Sequence, residues 1–261
     1  MTSATVPRSS VSWGRTALGL LSLALVLIVW YVLTDVTEEI SSLYLHSPTD
    51  VWDTLVQVRS TILDHSLVTL KRVLISFSAG SLLGVAVGLI MSRFRVVFAL
   101  LEPIIEALRP VPPIALIPFF ILWFGIGDFG KLLLAGEGCF MVMVISTIEA
   151  VRNVPRIYVQ AAQSLGASSA FIYRTVIIPA IVPELIAGFR VALALAFALM
   201  VAAELMGAQQ GLGFMIMVAR RSLNTSTILL GIIIIGLEAA LADQLLRRLT
   251  RRLTAWTERN R

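Results

Sequence analysis

The 261-residue chain is 57% hydrophobic and 14% charged, with a mean hydropathy of +0.89 and a formal net charge of +5. That balance excludes an ordinary soluble domain and describes a polytopic membrane protein. The basic residues gather at the ends of apolar runs, so the charge reports membrane orientation and not nucleic-acid binding; the lone Cys139 excludes an intrachain disulfide and a cysteine metal cluster.

Residues 1–15 are Ser/Thr-rich with Arg8 and Arg15 and read as a cytoplasmic tail. The apolar run at 16–34 is long enough to cross the hydrocarbon core. A signal peptide competes with that reading, but Trp30-Tyr31-Val32-Leu33-Thr34-Asp35 offers no small-residue cleavage site, so an uncleaved first span is expected. Residues 35–65 form an acidic periplasmic segment with Glu38, Glu39, Asp50, Asp53 and Asp64. Within it, Ser47-Pro48-Thr49-Asp50 starts an amphipathic surface helix bearing Val51, Trp52, Leu55, Val56 and Val58. His46 and His65 are too far apart in the chain for a metal motif and read as solvated or capping side chains.

Five further spans are expected within a core at 66–247. In the second, 66–92, Ser76, Gly80, Gly84, Gly88 and Ser92 recur every fourth residue, which puts them on one helix face for close packing. Arg93 and Arg95 mark a cytoplasmic turn. The third span, 98–124, is expected to break at Arg109-Pro110-Val111-Pro112-Pro113 and again at Pro118. The carbonyls freed there need protein or water partners, so the break lines an interface or a cavity. Gly125 to Asp128 is an outer turn into the fourth span, 131–148.

The fifth span, about 184–206, carries Arg190 and Glu204. Ionised groups at membrane depth cost about 2.5–3.5 kcal/mol each, so both should face protein or water. Gly207 to Phe214 is an outer re-entry element, 227–246 is the sixth span, and 248–261 is a basic cytoplasmic tail. Thirteen Lys and Arg residues fall on the inner side of this topology and six on the outer, which supports both termini inside. Lys71 and Arg72, near the outer end of the second span, fit it least well.

The inner loop at 150–183 is the polar island of the chain. Gly166 closes a short helix from about Ile157 to Leu165, and a second piece starts at Ser168 or Ser169 and should stop at Pro179. Arg152, Arg156 and Arg174 hold the region out of lipid, while Leu165, Phe171, Ile172, Val176, Ile177 and Ile178 require a covering surface. The alternative is an amphipathic loop lying on the membrane.

This stretch resembles the EAA loop of ABC-importer permeases. Ala161, Ala162, Gly166 and Pro179 fall at that pattern's spacing, with Gln160, Val176 and Ile178 in place of Glu, Ile and Leu. Leu108 to Pro113 followed by Leu122 to Asp128, and Ala202 to Leu205 followed by Gly211 to Gly213, resemble the subgroup serving nitrate, sulfonates, taurine and bicarbonate. The resemblance implies an all-α type I permease fold with six transmembrane helices, in the bacterial inner membrane. It further implies that Gln160, Ala161, Ala162, Ser164, Leu165, Gly166, Ala167 and Pro179 couple the chain to separate ATPase subunits holding ATP and Mg. A second permease copy and an external substrate-binding protein complete the expected complex, which imports a small anionic solute by alternating access. A subunit of this size has little room for a private pore, which independently favours a homodimer.

No cofactor is expected in this chain, and it is not read as an enzyme: it lacks a Walker-type Gly-Lys-Ser/Thr loop, a Gly-x-Ser-x-Gly elbow and metal-spaced histidines. Arg109, Pro112, Trp123, Glu137 and Glu204 are candidates for the translocation path, and Gly80, Gly84 and Gly88 for helix packing. Several path candidates have a second reading. Arg109 caps carbonyls freed by the prolines; Trp123 anchors at the membrane interface; Glu204 pairs with an Arg or with backbone N–H groups. Glu137, between Gly136 and Gly138, either bonds a neighbouring helix or meets the cationic group of a zwitterionic solute. The rival class is an ion-coupled secondary transporter, which favours inverted repeats and paired broken helices; the sequence has one strongly broken helix and no internal repeat. A membrane-embedded enzyme would need clustered His, Asp or Ser, which are absent.

Overall fold

The computed structural model describes residues 12–37 and 45–251. The remainder of the expected N-terminal tail, Glu38, Glu39 and the basic residues after Arg251 lie outside the described residues. All regular structure among the described residues is helical: α1 (Ser12–Tyr31), α2 (Pro48–Arg93), α3 (Arg95–Leu108), α4 (Ile117–Phe124), α5 (Asp128–Asn153), α6 (Arg156–Ser164), α7 (Ser169–Ile172), α8 (Ile178–Gly207), α9 (Leu212–Arg221) and α10 (Thr225–Thr250). Five helical stretches are long and apolar enough to span a membrane, and a sixth span follows if the bent pair Arg95–Leu108 and Pro113–Phe124 counts as one. The two halves of that pair meet at 82°, because the prolines at 110, 112 and 113 remove successive helix donors.

The chain forms two compact units, Met1–Arg59 with Ala219–Leu230 and Ser60–Val218 with Gly231–Arg261. In the first, Ser47 caps α2: its hydroxyl accepts from the Asp50 N–H at 3.1 Å while the Asp50 carboxylate accepts from the Ser47 N–H at 3.4 Å. Trp30 Nε1 donates to the His46 carbonyl at 3.0 Å, and Thr49 Oγ1 donates to Asp35 Oδ1 at 2.9 Å, so the end of α1 is tied to the start of α2.

The second unit is built on α2, α5 and α8. Buried Val73, Ala135, Cys139, Met143, Ala196 and Met200 form its apolar core. The small residues of α2 lie against α5: a Cβ on Gly80 would stand 2.1 Å from the Gly136 carbonyl oxygen, and one on Gly88 would stand 2.7 Å from Thr147 Cβ. A backbone this close excludes any side chain at the contact.

Three boundaries depart from the sequence expectation. The amphipathic segment after Ser47 and the second span are one 46-residue helix with a kink at Val58, since no Gly or Pro separates them and the polar Asp64 and His65 alone do not stop a helix. Pro118 does not break α4; it stands in its first turn, where the missing N–H has no intrahelical partner to lose. Pro179 does not stop the chain either. A π turn at Tyr173–Ile177 resets the hydrogen-bond register, so Pro179 falls in the first turn of the resumed α-helix and the rod continues to Gly207.

Candidate functional site

The segment expected to couple is a tight helical knuckle. α6 ends in paired bonds in which the Ala167 N–H donates to the Ala162 carbonyl at 3.1 Å and the Gly166 N–H donates to the Gln163 carbonyl at 2.9 Å. This closure needs Gly166 at φ +79°, a left-handed conformation that a residue with a Cβ adopts at a penalty. Ser168 then caps α7 by accepting from the Phe171 N–H at 3.3 Å. The short helices are thus closed by bonds within the segment itself.

Its surface divides in two. Ile172 is buried by the chain itself, and Val176, Ile177 and Ile178 are half-buried, so these four already have cover. Leu165 remains 87% exposed and Phe171 57% exposed, and Gln160, Ala161, Ser164, Gly166 and Pro179 are also exposed, with Ala162 and Ala167 half-buried. Tyr173, which sequence reasoning passed over, donates from its hydroxyl to the Leu89 carbonyl at 2.7 Å and fastens the knuckle to α2.

At the opposite end of α8 lies a buried polar knot. Glu204, 1% exposed, accepts from Arg72 Nη1 at 2.7 Å, from Thr69 Oγ1 at 2.9 Å and from the Gly213 N–H at 3.0 Å. Arg72 also donates through Nη1 to the Gln210 carbonyl at 2.7 Å and through Nη2 to Asp128 Oδ1 at 2.6 Å. Thr69 Oγ1 accepts from the Leu212 N–H at 2.8 Å, and His65 Nδ1 accepts from the Gly211 N–H at 3.1 Å, which gives that histidine a capping role. The pair Gly211 and Gly213 allows the loop to press onto the carboxylate: a Cβ on Gly211 would stand 2.3 Å from Glu204 Cδ. Gly211 also has φ +113°. Desolvating a carboxylate and a guanidinium is costly, and here the direct pairing and additional hydrogen bonds offset it.

Arg72 is therefore a buried partner of α8, and counting it as a charge flanking a span misreads it. Arg72 continues the four-residue register of Ser76, Gly80, Gly84 and Gly88 by one step, but that register alone does not separate an enclosed charge from one flanking the span. Lys131 is also buried; its ammonium donates to the carbonyls of Ile126 and Gly127 and so closes the turn before α5.

The remaining path candidates do not converge with Glu204. Arg109 is exposed and lies 3.8 Å from Glu106, beside a small cleft that includes Glu102, Glu149 and Arg152. Pro112 is exposed, and Trp123 is an exposed member of an aromatic group with Phe119 at 4.5 Å between ring centroids. Glu137 is half-buried on α5, and its Oε2 is buried without a hydrogen-bond partner. A further ion pair, Arg190 Nε to Asp243 Oδ1 at 2.7 Å, joins α8 to α10. Among the described residues no group of His, Cys, Asp or Glu is arranged to hold a metal.

Comparison with known proteins fits this architecture. Residues 80–255 match the model of the binding-protein-dependent transport system inner membrane component. The chain is 37% identical to the taurine transport system permease protein TauC of Escherichia coli strain K12, over 93% of this chain and 90% of that protein. It is 32% identical to the putative aliphatic sulfonates transport permease protein SsuC of Bacillus subtilis strain 168, over 91% and 87%. It is 30% identical to the nitrate import permease protein NrtB of Leptolyngbya laminosa, over 68% and 63%. An inward-facing structure of the MetNI methionine ABC transporter superposes with a TM-score of 0.60 at 20% identity, covering 74% of this chain and 98% of that one, which shows a shared fold. With the helical bundle and the family model in agreement, the chain belongs to the inner-membrane permease components of binding-protein-dependent ABC transport systems.

Proposed function

We propose that the protein is one of two identical permease subunits that import a small oxyanionic solute, of the sulfonate, taurine or nitrate class, across the bacterial inner membrane with both termini cytoplasmic. Two separate ATPase subunits bind ATP and Mg, and an external binding protein delivers the solute. The class of solute is supported by the names of the taurine, sulfonate and nitrate relatives. Coupling is assigned to Gln160, Ala161, Ala162, Ser164, Leu165, Gly166, Ala167 and Pro179.

The observation that carries this reading is Leu165, 87% exposed at the tip of a knuckle closed by its own backbone bonds. An apolar tip on a preformed polar loop is suited to enter a cleft on another subunit. In the proposed cycle, ATP closes the ATPase pair, the knuckle moves with it, and the helices attached to it turn the path from inward to outward facing. Hydrolysis returns the path inward and releases the solute. Arg109, Pro112, Trp123 and Glu137 are assigned to surfaces along that path, between the two copies.

The test is cross-linking from a single cysteine. Leu165→Cys in a Cys139→Ser background should link to the ATPase subunit in the assembled complex, and ATP should alter the yield. Cross-linking only to lipid-soluble reagents, with none to the ATPase, overturns the coupling assignment.

A further inference from the structure

Beside the polar knot is a cavity of about 300 Å³ lined by Arg72, Ile126, Gly127, Asp128, Lys131, Gln209 and Gln210. Its volume suits a solute of a few heavy atoms. The hydrogen bonding of Arg72 beside it is asymmetric. Nη1 is filled twice, by Glu204 and by the Gln210 carbonyl. The other edge of the guanidinium, Nε with Nη2, holds one oxygen of Asp128 on Nη2, and Nε is buried with no partner. That edge is a planar fork suited to two oxygens of one oxyanion.

The two carboxylates paired with Arg72 differ in enclosure. Glu204 is fully enclosed, whereas Asp128 is 60% exposed and begins α5. With Asp128 swung outward, Glu204 is the one carboxylate still bonded to Arg72, and the cavity lining keeps two cations, Arg72 and Lys131. Lys131 still has a third N–H after donating to Ile126 and Gly127, and the Gln209 and Gln210 side chains, where they face the cavity, offer further neutral donors.

We infer that this cavity is a binding site for a monovalent oxyanion, such as a sulfonate or nitrate, which displaces Asp128 and takes the Nε–Nη2 edge of Arg72. The inference rests on the import function proposed above and gives the solute an entry site at the end of the permease remote from the knuckle. Asp128 serves as the built-in competitor that occupies the fork between solutes. A phosphate of a lipid headgroup shares the same chemistry and is the competing source of the anion.

Titration of the full-length chain with methanesulfonate tests it, using calorimetry in maltoside micelles, whose headgroup carries no oxyanion. Binding should be measurable in the unmodified protein, about fivefold or more tighter in Asp128→Ala, and weaker in Lys131→Gln. Unchanged or weaker binding in a folded Asp128→Ala protein overturns the proposal, because removal of a competitor must raise affinity. Repeating the titration in phosphatidylglycerol nanodiscs separates the sources: retained affinity supports a solute site, and affinity lost only there gives the fork to a headgroup and overturns the solute assignment. These measurements need no ATPase subunit, so their failure leaves the coupling assignment standing, and failure of the Leu165 cross-link leaves this binding intact.

Discussion

Arg72 and Glu204, 132 positions apart in the chain, meet at 2.7 Å with both side chains enclosed. Replacing one member strands the other charge, at a cost of about 3–5 kcal/mol. Glu204→Gln should therefore lower the thermal midpoint of the detergent-solubilised protein strongly. The double replacement Arg72→Met with Glu204→Met should recover part of that loss. A double variant no more stable than Glu204→Gln would show that the Thr69 and Gly213 bonds, and not the ion pair, dominate the site.

Gly166 separates two ways of disturbing the knuckle. Nothing stands within 4 Å of a Cβ at this position, so Gly166→Ala meets only the left-handed backbone penalty, about 1–2 kcal/mol. Gly166→Pro also forbids φ +79° and removes the donor to the Gln163 carbonyl. The alanine variant should retain uptake at a reduced rate, and the proline variant should insert normally but leave the ATPase subunits of its complex hydrolysing ATP without transport. Paired measurements of uptake and ATPase activity check this, and full coupling in the proline variant would remove the knuckle from the mechanism.

Glycine substitutions also map the packing of α2. Gly80→Ala should destabilise by about 3 kcal/mol, since its Cβ would stand 2.1 Å from a backbone oxygen that has no rotamer by which to move away. Gly236→Ala on α10, with nothing within 4 Å, should be neutral or slightly stabilising. Thermal unfolding of the two variants side by side gives the comparison. Equal midpoints would mean that α2 and α5 are not in contact at Gly80.

Tyr173→Phe deletes one hydroxyl and its bond to the Leu89 carbonyl while keeping the ring. The expected loss of global stability is about 1 kcal/mol. Local effects should be larger, with faster amide exchange in 156–172 and a lower ratio of transport to ATP hydrolysis. Unaltered exchange in that segment would assign the hydroxyl no part in holding the knuckle.

Glu137→Gln distinguishes the two readings of this half-buried carboxylate, whose Oε2 has no partner in the single chain. A role with the cationic end of a zwitterion predicts, among the solutes that the assembled transporter imports, a selective loss for zwitterions relative to simple anions. A packing role predicts equal losses for both.

The spans and the knuckle were legible because hydrophobic length, proline and glycine act within a few residues of their own position. Gly166 closes α6 through bonds that reach no further than Ala162, so spacing alone located it. The buried knot was not legible, since its members come from α2, α5, α8 and the loop before α9, and only folding brings them together. Arg72 shows the difficulty: a charge near the end of an apolar run has the same local pattern whether it flanks a span or is enclosed within it. The failed stop at Pro179 has another cause. A π turn changes which carbonyl each N–H meets, and that register shift leaves no mark in residue composition.

That shift has a mechanical result. Because the π turn lets α7 run on into α8, Ser169–Gly207 is a single 39-residue shaft, with a contour of about 58 Å at 1.5 Å per residue. Leu165 stands four residues before its first residue, across the Gly166 turn, and Glu204 lies one turn from its last. Under the coupling proposed above, a displacement delivered at the near end would travel along this one helical backbone to the far tip, where Glu204 grips Arg72, without relay through a chain of separate side-chain contacts.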